Sequence, residues 1–176
     1  MSKKVILRPK WLKNDKVKRI YSVSSCVSED FADYINYWKH NGYWFFNSPE
    51  DILELAKEQN IDLEGAELFY YEAYSEEYDE DEKSWNKFSK EESFLTSVVQ
   101  PQNYNLEGFD IVSYSGSSTS ECSPLSCNHL AEKVEVQENC LLKTFEDAQS
   151  LVQSKTLEGC EPGPYRIIAV YKKQKK

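Results

Sequence analysis

The sequence predicts an α+β fold: a mainly antiparallel sheet with about three helices packed on one face. Three observations carry this. Strand-like segments rich in aromatic and β-branched residues alternate with segments of helical spacing, divided by Pro/Gly turns. Aromatic residues make up 14% of the 176, with twelve tyrosines and eight phenylalanines, a content that disordered chains lack. The densest aromatic run, Tyr43-Trp44-Phe45-Phe46, is far shorter than the roughly eighteen apolar residues of a membrane span. The length suits a single globular domain over 1–176, able to bury about two-thirds of the surface that its unfolded chain exposes.

Taken in order, Lys18 to Ser25 alternates as a strand, with Ile20 and Ser22 on one face and Tyr21 and Val23 on the other. From Ser28, Phe31, Ile35 and Trp38 fall on one helical face. Glu29 and Asp30 suit the positive end of that helix, Lys39 and His40 the negative end, and Gly42 its cap. Ser48-Pro49-Glu50-Asp51 starts a second helix, which runs to about Glu58: an N-cap serine, proline at the first helical position, acids in the first turn. Asn60 to Gly65 turns the chain, and Ala66 to Tyr74 is aromatic enough for a central strand.

Glu76 to Glu82 is a run of carboxylates around Tyr78, expected as a solvated loop because clustered like charges resist burial. Trp85, Phe88 and Phe94 would pin this acidic excursion, set at 75–93. Phe109 to Ser115 resumes strand alternation and Gly116 to Ser120 breaks it. Lys133 to Gln137 reads as a short strand. Thr144, with Asp147 three residues on, predicts a capped helix whose Ala148, Leu151 and Val152 share a face. A rigid turn over Glu158 to Pro164 leads to Tyr165–Tyr171, apolar on both faces and therefore interior.

Charge is unevenly spread. The chain carries a net −9, yet residues 1–20 hold eight basic side chains against Asp15 alone, a net of +7. Lys172, Lys173, Lys175 and Lys176 make the far end basic too, so the short basic ends are set at 1–16 and 172–176. Between residues 29 and 82, seventeen acids face only Lys39 and Lys57, a net of −15. Such a field disfavours nucleic acid as a partner and steers basic proteins. No phosphate-cradling glycine loop, dinucleotide fingerprint, H-E-x-x-H or G-x-S-x-G is present, which disfavours an ordinary nucleotide-dependent enzyme. The opening M-S-K-K-V-I-L-R-P-K has neither a sustained apolar core nor a small-residue cleavage site, so a cytoplasmic location with reduced thiols is expected.

Two constellations compete for function. The first is the acidic, aromatic segment: Tyr74, Glu76, Glu77, Tyr78, Asp79, Glu80, Asp81 and Trp85. Aromatic anchors among carboxylates suit docking of a basic protein, with no catalysis and no cofactor. The second is Cys122, Cys127, His129 and Cys140, gathered with Cys26 and Cys160 into five cysteines, an odd number. As ligands they would suit zinc, though the wide spacing between Cys122 and Cys127 departs from the tight two-residue turns of structural zinc sites. As a redox or catalytic thiol, one of them needs a lowered pKa and a base in reach. Packing leads, because free cysteine is among the most buried residue types. In size, acidity and aromatic content the chain resembles small bacterial immunity and inhibitor proteins, a likeness of class that rests on no motif. The expectation is a non-catalytic protein-binding module, with a thiol- or zinc-dependent enzyme or redox sensor as the alternative.

Overall fold

The computed structural model describes residues 2–3, 48–58, 60, 66–89, 101–115 and 121–174. The strand read over 18–25, the helix read from Ser28 to Gly42, Cys26 and Phe94 lie outside the described residues, as do 90–93 of the acidic excursion.

Two short strands, β1 (Ser2–Lys3) and β2 (Ala66–Glu67), pair antiparallel with each other. Helix α1 (Pro49–Glu58) begins at the proline, whose missing N–H is one of the donors a first turn leaves unused anyway. Then follow β3 (Phe69–Asp79), β4 (Ser84–Lys87), β5 (Tyr104–Ser113), α2 (Phe145–Val152) and β6 (Tyr165–Lys173). The last four strands form one sheet in the order β4-β3-β6-β5, every neighbour antiparallel. A four-stranded antiparallel sheet with two α-helices places the described chain in the α+β class. The third expected helix falls outside the described residues. No helix among the described residues is long and apolar enough to cross a membrane.

Helix α2 forms as its sequence requires. The Thr144 hydroxyl accepts the Asp147 N–H at 3.0 Å, and the Asp147 carboxylate accepts the Thr144 N–H at 3.1 Å, a reciprocal capping box. This aims Ala148, Leu151 and Val152 at the sheet, where they pack with Ile111, Tyr165 and Ile167. Cys140, Leu125, Leu130 and Leu157 complete that layer from the loops. The opposite face of the sheet gathers Phe69, Phe88, Val112, Tyr114, Ile168 and Val170. Ile111, Ile167 and Ile168 are at most 1% exposed, and each such aliphatic side chain contributes about 1.5 to 3 kcal/mol on burial. Strand β6 lies between β3 and β5, the interior place its two apolar faces demand.

Two expected elements differ from what the chain does. The carboxylate run is not one loop: Glu76–Asp79 continue β3, and a tight turn over 80–83 returns the chain into β4. Glu76 and Glu77, adjacent in the strand, enter it on opposite faces, which keeps these two carboxylates apart. Residues 133–137 are not a strand either. The Val134 N–H bonds back to the Leu130 carbonyl, and the Gln137 N–H bonds to the Leu141 carbonyl across a turn. Val134 and Val136 reach the core from a loop.

Along residues 109–113 the outer edge of β5 is closed piece by piece. The Phe109 N–H donates to the Leu142 carbonyl and the Leu142 N–H returns the bond, both at 2.9 Å. The Ser113 N–H donates to the Cys122 carbonyl at 2.7 Å. Between them, the Ile111 N–H finds no neighbouring strand and bonds instead to the Asp110 carboxylate at 2.9 Å, whose same oxygen accepts the Ser123 hydroxyl at 2.6 Å. Asp110 is 1% exposed and Ser123 is fully buried. A buried acid here answers for an otherwise orphaned backbone donor.

Close approach also fixes Gly108. Its φ of +145° suits no residue with a side chain, and a Cβ there would stand 2.6 Å from the Leu142 carbonyl oxygen and 2.8 Å from the Leu141 Cβ. Gly108→Ala is expected to lower stability by about 3 kcal/mol or more, from backbone strain and overpacking together. Gly159→Ala, also at positive φ but in open space, should cost only about 1 to 2 kcal/mol. Urea denaturation of the two variants checks the contrast.

Candidate functional site

The hairpin of β3 and β4 holds the eight residues that the sequence singles out for protein binding, and it sorts them into different environments. Strand alternation puts Tyr74, Glu76 and Tyr78 toward the α2 side, and Glu77 toward the other. Glu77 is 8% exposed and stands opposite Arg166 in the ladder; Tyr78 is 6% exposed within the core. Neither is available to a partner. Asp79 holds the turn, its Oδ1 accepting the N–H groups of Asp81 at 2.9 Å and Glu82 at 3.0 Å, as short acids do in turns. The Glu80 carboxylate accepts the Gly163 N–H at 2.8 Å, tying this turn to the one before β6. Asp81 is exposed. Glu82, also exposed, accepts from Asn86 at 3.2 Å and Ser84 at 3.4 Å.

The aromatic members join residues that sequence reasoning missed. Trp85 and Tyr74 meet edge to face with ring centres 5.8 Å apart, Tyr74 and Phe145 at 4.7 Å, and Phe145 and Phe109 at 5.9 Å. Such geometries suit the ring quadrupole. All four rings are half-buried, so they form a ledge along the boundary of the core. Phe145 carried a signal that went unused: it lies three residues before Ala148, on the same helical stripe. The position of Phe109 depends on β5 pairing with β6, which no local pattern reveals. Burial, together with the neighbouring Glu76, raises the Tyr74 phenol above its ordinary value, and the phenol donates to that carboxylate at 3.2 Å.

The cysteine loop is ordered but scattered in its chemistry. Cys122 and Cys140 are buried, Cys127 and Cys160 are half-buried, and none of the four is joined in a disulfide. The Cys140 thiol points at the Leu125 carbonyl, 3.5 Å away. His129 sits in the left-handed region at the start of the 3₁₀ turn Leu130–Glu132, with Nδ1 3.7 Å from the Glu132 carboxylate and not on a cysteine. Among the described residues, no three His, Cys, Asp or Glu side chains converge as ligands for a metal ion. A cleft of about 520 Å³ opens between residues 134–137 and α2, lined by Val134, Val136, Lys143, Asp147, Ser150 and Thr156 among others. Asp147 is already spent on the helix cap.

Burial pushes the Cys140 thiol far up, with Asp110 and Cys127 adding to the effect. Burial likewise raises the Tyr165 phenol, helped by Glu80, and that phenol donates to the Glu161 carbonyl. Both groups are therefore held neutral in the folded chain. The unfolded chain ionises them near 9.0 and 10.0, so their contribution is complete below those values and is lost as pH rises past them. Melting temperature should fall steadily above about pH 9, and Cys140→Ala should make that fall shallower. In the native protein at neutral pH, a thiol reagent followed by peptide mass spectrometry should label Cys127 and Cys160 well before Cys122 and Cys140. The chain matches no protein-family model, no curated protein and no solved structure.

Proposed function

We propose that this chain is a non-catalytic protein-binding module of the immunity or inhibitor type, which engages a basic partner through the β3–β4 hairpin. One observation carries the reading. Among the described residues, Glu76, Asp79, Glu80 and Glu82 take their hydrogen bonds from backbone N–H groups and neutral side chains, Asp81 is exposed, and none of the five forms a salt bridge, although Lys87 stands opposite Glu76 in the ladder. Their charge is left to act outward. From Glu76 to Lys87 the hairpin carries six acids against Lys83 and Lys87, a net of −4. Beside them the Trp85 and Tyr74 rings offer rigid apolar area, which loses little conformational freedom on docking.

The fold supports this use. A hairpin held in the four-stranded sheet and tied by Glu80 to the turn before β6 keeps the carboxylates in fixed relation, so an approaching cationic surface meets a preorganised field. Attraction of this kind is screened over about 10 Å at 0.1 M salt.

The test is binding of purified basic proteins in low and in physiological salt. Complex formation should weaken by about tenfold or more over that range, and Asp81→Lys with Glu82→Lys, both at exposed positions, should abolish the salt dependence. Binding that ignores both salt and charge reversal would sink the proposal.

A further inference from the structure

We infer, resting on the reading above, that the binding surface continues from the hairpin across the open end of the sheet, and that its occupant is an arginine-bearing segment of the partner. Cover over the α2 side of the sheet is uneven. Along β6, Tyr165 and Ile167 are at most 1% exposed, whereas Ala169 and Tyr171, next in the same alternation, are half-buried. On the neighbouring strand Leu106, opposite Tyr171, is 46% exposed. This sheet face is core at one end and only partly covered at the other.

This open end is aromatic. Tyr171 packs against Tyr70 with ring centres 5.7 Å apart, and Phe109 lies opposite Ala169, joining the end to the ledge of Phe145, Tyr74 and Trp85. Two carboxylates stand among the rings. Glu72, exposed and opposite Ala169, accepts the Tyr171 hydroxyl at 3.1 Å; Glu76 accepts that of Tyr74. Among the described residues neither forms a salt bridge, although Lys87 stands opposite Glu76 in the ladder.

Ring faces beside a carboxylate suit a guanidinium better than an ammonium. The guanidinium is planar and weakly hydrated, so it stacks on a ring while its edge bonds the carboxylate through two N–H groups. An ammonium is a compact, strongly hydrated point charge. The aliphatic stem of the arginine would lie along Leu106 and Ala169. The molecule already uses this chemistry inside itself, where the Arg166 guanidinium lies 3.8 Å from the centre of the Phe88 ring.

Calorimetric titration of the whole chain with an oligo-arginine peptide and an oligo-lysine peptide of equal length tests the inference. The arginine peptide should bind at least about fivefold more tightly, and Glu72→Gln with Leu106→Ala should weaken it by about tenfold, or 1.4 kcal/mol. Both substitutions are at exposed positions, and circular dichroism shows whether the fold is kept. Equal affinity for the two peptides, lost on Asp81→Lys with Glu82→Lys but unmoved by Glu72→Gln with Leu106→Ala, would overturn the extension and leave the hairpin reading standing. No binding of either peptide in low salt would overturn both.

Discussion

A guanidinium lies in the interior of this protein, and much of the sheet is arranged around its needs. Arg166 is 3% exposed, on the interior strand β6. Leaving such a charge dry and unpaired would cost several kcal/mol. It is met on three sides: Phe88 lies beneath the cation, Glu77 stands opposite in the ladder, and the Tyr74 carbonyl accepts from Nε. That carbonyl is available because β3 bulges. Tyr74, Ser75 and Glu76 occupy a stretch where β6 has only Ile167. The irregularity frees a backbone acceptor for the buried cation, while alternation leaves Tyr74 and Glu76 on the other face of β3, toward α2.

Asp110 solves a related problem. Strand β5 would otherwise present a column of outward N–H groups, and the chain closes it from both sides with Leu142 and Cys122. Between these two points the Ile111 donor is served from within by a carboxylate that Ser123 also holds. The polar cysteine loop therefore has a structural task at the sheet edge, whatever chemistry its thiols have.

Local signals were legible where they were complete. Ser48-Pro49 and the Thr144/Asp147 pair marked two helix starts, and the two-faced apolar run of β6 marked its interior place. Signals failed where the deciding partner lies far along the chain. Nothing near Glu77 announces Arg166, so the carboxylate run read as a loop rather than as strand and turn. The bulge between Leu106 and Gly108 breaks alternation, which hid the first half of β5. Val134 and Val136 alternate like a strand, yet their backbone turns to bond locally. At the candidate site Tyr74 and Trp85 were legible as interleaved aromatics, while Phe109 and Phe145 became neighbours only through sheet pairing and helix docking.

Closure of the β5 edge bears on how copies of this chain behave in concentrated solution. Exposed strand edges are the templates on which chains add to one another and grow into fibrils. Over residues 109–113 the β5 edge offers no such template, and on the other side of the four-stranded sheet β4 is a strand of four residues ending in Lys87 and preceded by an acidic turn, which makes a poor one. The same carboxylates offered to a foreign partner thereby discourage the chain from stacking on itself.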